Sequence, residues 1–158
     1  MANPTRYATP ICLGLTALAA LGIGLGLLTD EVMWPVLLLI PTVAYEAYRT
    51  EGVSTRWASW AMVVLMIALV VVVVFDIEYD LRQLFGSGVT YVGGEDIPLG
   101  DVKVVFPAVM AILAVILWSR TRGIYTRWLA AIIFATALAI VYLRAPAELG
   151  NLLNTTVG

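Results

Sequence analysis

Apolar residues run along this chain in long blocks, and polar residues are confined to the gaps between them. Five blocks approach or reach the roughly 17 to 25 residues a helix needs to cross a hydrocarbon core about 30 Å thick. They are 11–29, 32–48, 58–75, 102–118 and 127–143. The pattern predicts an all-α integral membrane protein: a bundle of about five transmembrane helices, one membrane domain over 1–158, with a structured outer loop at 76–101. The second block holds Pro35, Pro41 and Glu46, and the fourth starts beside Asp101 and Lys103, so a tilted or re-entrant course is the alternative for either. The first block follows Arg6 and contains Ala17-Leu18-Ala19, as a signal peptide would. It stays apolar to Leu28, too long for a usual leader, and is expected to persist as the first span.

Composition agrees: 61% of residues are hydrophobic, 13% are charged and the mean hydropathy is +0.95. Soluble domains are about half apolar and a quarter charged, so a soluble domain is excluded. Charge then orients the spans. Arg6, the pair Arg49 and Arg56, and the trio Arg120, Arg122 and Arg127 fall in alternate gaps, which the positive-inside rule assigns to the cytoplasm. The remaining gaps carry Asp30 and Glu31, then Asp76, Glu78, Asp80, Glu95, Asp96 and Asp101 against Arg82, and finally Arg144 and Glu148. The N-terminus is therefore expected inside a cell membrane, with loop 76–101 and the C-terminus on the outer side.

A nine-residue segment recurs. Residues 49–57 and 120–128 share the pattern R-T-x-G-[VI]-x-T-R-W, and Trp34-Pro35 and Phe106-Pro107 precede the two copies at similar spacing. Internal symmetry of this kind marks many membrane folds, and it predicts a duplicated helical hairpin with both copies running in the same direction. In each turn the Gly is expected to end the inbound helix in the left-handed conformation, and the second Thr to cap the outbound one. Arg56, Trp57, Arg127 and Trp128 are the expected interface anchors, since Arg snorkels to phosphate and indole prefers headgroup depth.

Small residues let membrane helices approach closely. Gly22 and Gly26, and Ala131, Ala135 and Ala139, form such faces, suited to packing within the bundle or between molecules. The valine run from Val70 to Val74 lacks small residues and suits lipid or a larger partner. Glu46 is the possible intramembrane ionisable site. It stands three residues before Arg49, a helical ion-pair spacing, with a proton or cation site as the alternative.

In the outer loop, Ile77, Leu81, Leu84 and Phe85 recur at helical spacing, which predicts an amphipathic continuation of the third span. Gly86 to Gly94 reads as a short strand between turns. The loop acids lack the spacing of an EF-hand and read as solvated charge on a docking surface. Asn154-Thr155-Thr156 matches a glycosylation acceptor.

The chain has no His and a single Cys, Cys12. The absence of His argues against haem ligation and Ser-His catalysis, and a single Cys excludes an intrachain disulfide. With no nucleophile and base pair, phosphate-cradling loop or dinucleotide fingerprint, an enzyme is not expected, nor are a cofactor or a metal. A sequence pI near 5.0 speaks against nucleic-acid binding. Partners are expected in the lipid bilayer itself and in other integral membrane subunits, or in further copies of the chain. The expected function is a non-catalytic, multi-pass auxiliary or structural subunit of a transport or electron-transfer assembly. The alternative is a homo-oligomeric channel or small transporter, with Glu46, Thr16 or Thr136 arranged around an axis.

Overall fold

A computed structural model of the protein describes residues 7–50, 53–77 and 102–144. These residues form five helices and no strand: α1 (Ala8–Thr29), α2 (Met33–Arg49), α3 (Val53–Val74), α4 (Val102–Arg120) and α5 (Ile124–Arg144). Four of them, α1, α3, α4 and α5, are long and apolar enough to cross a membrane. The expected fifth span, α2, falls short. It has 17 residues, about 25 Å at the helical rise of 1.5 Å per residue, and Pro41 and Glu46 dilute its apolar run. The amphipathic continuation beyond Ile77, the strand near Val89, the loop acids and the glycosylation pattern at Asn154 lie outside the described residues.

The helices form a ring in which each packs on its neighbours in sequence, and α1 closes against α5. α2 also touches α5 across the ring. Its first residue, Met33, and the preceding Val32 line an open cleft of ≈ 360 Å³ with Asp30 and Glu31 after α1, Val73 and Asp76 at the end of α3, and Leu143 and Arg144 at the end of α5. Its last residue, Arg49, lies over the ring of Tyr125 in the first turn of α5. α2 thus runs between the two ends of the bundle despite its length.

Close approach of α1 to α2 depends on two glycines. A Cβ on Gly22 would stand 3.1 Å from Leu38 Cβ and 3.2 Å from Pro35 Cα, and one on Gly26 would stand 2.9 Å from Pro35 Cδ and 3.0 Å from Leu143 Cδ1. These glycines pack inside the molecule. The main core joins Leu39 and Val43 of α2, Met62 and Leu69 of α3, Leu117 of α4 and Ile133 and Ile140 of α5. Cys12 and Leu15 of α1 form a smaller cluster with Leu129. The outer surface stays apolar, with Leu21, Leu28, Ile67, Ile112 and Leu138 all exposed, as lipid contact requires.

The alanine stripe behaves differently from the glycines. Ala135 is exposed and Ala131 and Ala139 are only half-buried, whereas Ala130, Ile133 and Ala137 face the core. The stripe is turned outward, while Ile133 and Ile140 of α5 fill the core.

The expected turn caps also differ where they are described, Gly52 lying outside the described residues. α5 starts at Ile124 and α3 at Val53, so Thr126 and Thr55 lie within the helices. Gly123 is not in the left-handed region, and its carbonyl accepts the Arg127 N–H at 3.1 Å. It opens the outbound helix, where Gly is also favoured because an N-cap tolerates non-helical backbone. The left-handed exits belong to Asp30 (φ 53) after α1 and Asp76 (φ 48) after α3. The N–H of Ile77 donates to Val72 O and that of Asp76 to Val73 O, the paired closure that ends many helices.

Candidate functional site: a buried carboxylate between α2 and α3

Glu46 lies one turn from the end of α2 and is 0% exposed. The expected ion pair with Arg49 does not form. Arg49 instead donates to Tyr45 Oη at 3.4 Å and stacks 4.9 Å from the Tyr125 ring centre, a cation–π contact that an interfacial guanidinium favours. Residues i and i+3 are neighbours on a helix but not on one line, so Arg49 can reach the interface while Glu46 points inward.

One carboxylate oxygen is well supplied. Oε1 accepts a bond from Thr50 Oγ1 at 2.5 Å and another from Ser59 Oγ, on α3, at 3.0 Å. Thr50 ends α2, its N–H donating to Glu46 O at 2.9 Å, and its hydroxyl also lies 3.0 Å from that carbonyl. Thr55, one turn before Ser59, is buried as well, and its carbonyl lies 3.4 Å from Ser59 Oγ. The other carboxylate oxygen, Oε2, is buried without a hydrogen-bond partner, as is Thr42 Oγ1 one turn earlier on the same face of α2. Buried polar atoms are nearly always paired, so two orphans on adjacent turns set this region apart.

Among the described residues, Thr42 has the buried threonine hydroxyl that lacks a partner. Thr16, Thr29, Thr121 and Thr136 all donate to the carbonyl four residues earlier, the common solution for a hydroxyl in an apolar helix. Thr42, 0% exposed, does not. Sequence reasoning singled out Glu46 and missed Thr42 and Ser59. The i, i+4 spacing of Thr42 and Glu46 was available as a signal, while nothing local connects Ser59 to either.

The anchors occupy the end of the bundle where α3 and α5 begin. Arg56 and Trp57 are exposed, Arg127 is exposed with its Nε donating to Thr121 O at 2.8 Å, and Trp128 is half-buried, its indole N–H reaching Thr16 Oγ1 on α1 at 3.1 Å. Thr9 and Tyr125 hydroxyls meet at 2.9 Å nearby. Thr16 and Thr136 are therefore engaged within the bundle. At the opposite end Lys103, 2% exposed, donates to Asp76 Oδ1 at 2.6 Å, with Asp76 80% exposed. The Lys103 ammonium, by that hydrogen bond and its charge, holds the Asp76 carboxyl below the usual range.

No protein-family model, curated protein or solved structure matches this chain.

Proposed function

We propose that the protein is a non-catalytic, multi-pass subunit of a larger membrane assembly, contributing helix packing and an outer docking loop. The observation that carries this reading is the outward face of α3. Trp57, Trp60, Val64, Ile67, Val71 and Val74 are all exposed, and their spacing alternates between three and four residues. That is the repeat with which one helix offers knobs to the holes of another. Among the described helices α3 touches only α2 and α4, which leaves this ridge uncovered by them. The five helices are proposed to make five crossings of a cell membrane, with the arginine-rich end cytoplasmic and the C-terminus outside. The paired nine-residue segments are proposed to reflect a duplicated hairpin.

The test is mild-detergent purification of the tagged protein from its own membrane, with mass spectrometry of what co-migrates. A foreign membrane subunit in fixed ratio is expected, and the Val64→Ala, Ile67→Ala, Val71→Ala triple variant, which leaves the inner faces untouched, is expected to release it. A native particle containing this chain alone would overturn the reading. The buried polar set around Glu46 favours a second reading, a homo-oligomeric channel or small transporter, for which ion flux into vesicles containing the pure protein is the measurement.

A further inference from the structure

We propose that Glu46, with the hydroxyls of Thr42, Thr50 and Ser59, forms a binding site for one Na⁺-sized monovalent cation. The ligand chemistry is uniform, since carboxylate and hydroxyl oxygens are the donors that hard cations select. Two of those oxygens, Glu46 Oε2 and Thr42 Oγ1, have no partner although both are buried. They do not hydrogen-bond each other, so a proton on the carboxylate does not join them in this arrangement. Oxygen ligands stand roughly 2.3–2.6 Å from a cation of Ca²⁺ radius, and Na⁺ is nearly the same size. One ion can therefore bridge two buried oxygens that do not hydrogen-bond each other.

Charge sets the valence. A buried carboxylate stays ionised only with a compensating charge, and the nearest cationic side chain on the helix, Arg49, is turned to Tyr45 and Tyr125. One monovalent ion makes the site neutral, while a divalent ion would leave a net positive charge in an apolar bundle.

The second hairpin shows that the fold itself does not call for polarity here. Shifting Thr42, Glu46 and Ser59 by the register of the repeated segment gives Leu113, Leu117 and Ala130, all buried and apolar. The corresponding helix pair, α4 and α5, packs with those side chains in place. Carboxylate and hydroxyls in the first pair thus serve something other than packing. The site also lies within reach of the membrane surface. Glu46 is about 4.5 Å and Thr42 about 10 Å along the axis from Arg49 at the helical rise.

The experiment is thermal unfolding of the detergent-purified full chain in NaCl, KCl, CaCl₂ or choline chloride at matched ionic strength, together with ²²Na⁺ binding. Expected are a melting temperature that climbs with the logarithm of Na⁺ concentration, as ligand linkage requires, no equivalent rise in choline, and one Na⁺ bound per chain. Glu46→Gln is expected to abolish both signals. Thr42→Val, which keeps the shape and removes only the hydroxyl, is expected to raise the half-saturating Na⁺ at least tenfold, and it serves where Glu46→Gln fails to fold. Equal melting temperatures in NaCl and choline chloride would overturn the proposal. So would a response to Ca²⁺ alone, or a Na⁺ response unchanged in Thr42→Val.

Discussion

Asp76 shows how a single residue can serve backbone and electrostatics together. Its left-handed φ of 48 closes the end of α3, a role open to Asp and Asn because their short side chains tolerate that region. Its carboxylate meanwhile receives the ammonium of Lys103, which enters the bundle in the first turn of α4. Because the Asp76 carboxyl is held below its ordinary range, the pair stabilises the fold above that range, and the contribution is lost as pH falls through the folded-state value. Asp76→Asn preserves the backbone and removes the charge. It is expected to lower the melting temperature at neutral pH and to flatten the decline expected of the wild type below about pH 4. Superimposable acid limbs for the two proteins would show that the pair contributes nothing. Lys103 stood in the sequence only as a charge blurring the start of a span. Its partner lies across a 27-residue separation, which no local pattern reports.

Among the elements, α1 and α2 offer the sharpest test of packing. Gly22 and Gly26 contact Pro35 and Leu38 closely, whereas Gly24 meets nothing within 4 Å. Gly26→Val is expected to destabilise the bundle by about 1–3 kcal/mol, the usual cost of overpacking. Gly24→Ala is expected to be neutral or to stabilise by up to about 1 kcal/mol through helix propensity. Thermal or denaturant unfolding of both variants in one detergent checks the contrast, and equal effects would mean that α1 does not dock on α2 through this face. The helices themselves were legible within a few residues, because a bilayer imposes long apolar blocks. Which small-residue face points inward was not. Gly22/Gly26 and Ala131/Ala135/Ala139 have the same spacing, and only the rotation of α5, set by Ile133 and Ile140 against the core, turns the alanines out. The carboxylate site was half legible for a related reason. An acid in an apolar block is conspicuous, but Ser59 joins it only through the pairing of α2 with α3.

At the scale of the whole molecule, the path of α2 sets the topology, and the contacts of α1 with α5 bear on it directly. Thr9 meets Tyr125, and Thr16 meets Trp128, so the start of α5 lies beside the start of α1. If α2 turned back without crossing, α3 would begin on the side where α1 ends, and the connection between α4 and α5 would emerge on the face opposite Tyr7. If α2 crosses, Tyr7 and Arg122 share a face and Asp30 lies on the other. The short length of α2 is no obstacle, since a bilayer thins around a short span at a cost of fractions of a kcal/mol per Å, and three neighbouring helices pack against it. Single cysteines at Tyr7, Asp30 and Arg122, in a Cys12→Ala background, can be labelled in sealed vesicles of known orientation with a membrane-impermeant maleimide. Positions 7 and 122 are expected to react from the cytoplasmic side and position 30 from the other. Labelling of 7 and 122 from opposite sides would make α2 re-entrant. It would also separate in the membrane the pairs Thr9–Tyr125 and Thr16–Trp128, so this one result tests the topology and the ring closure together.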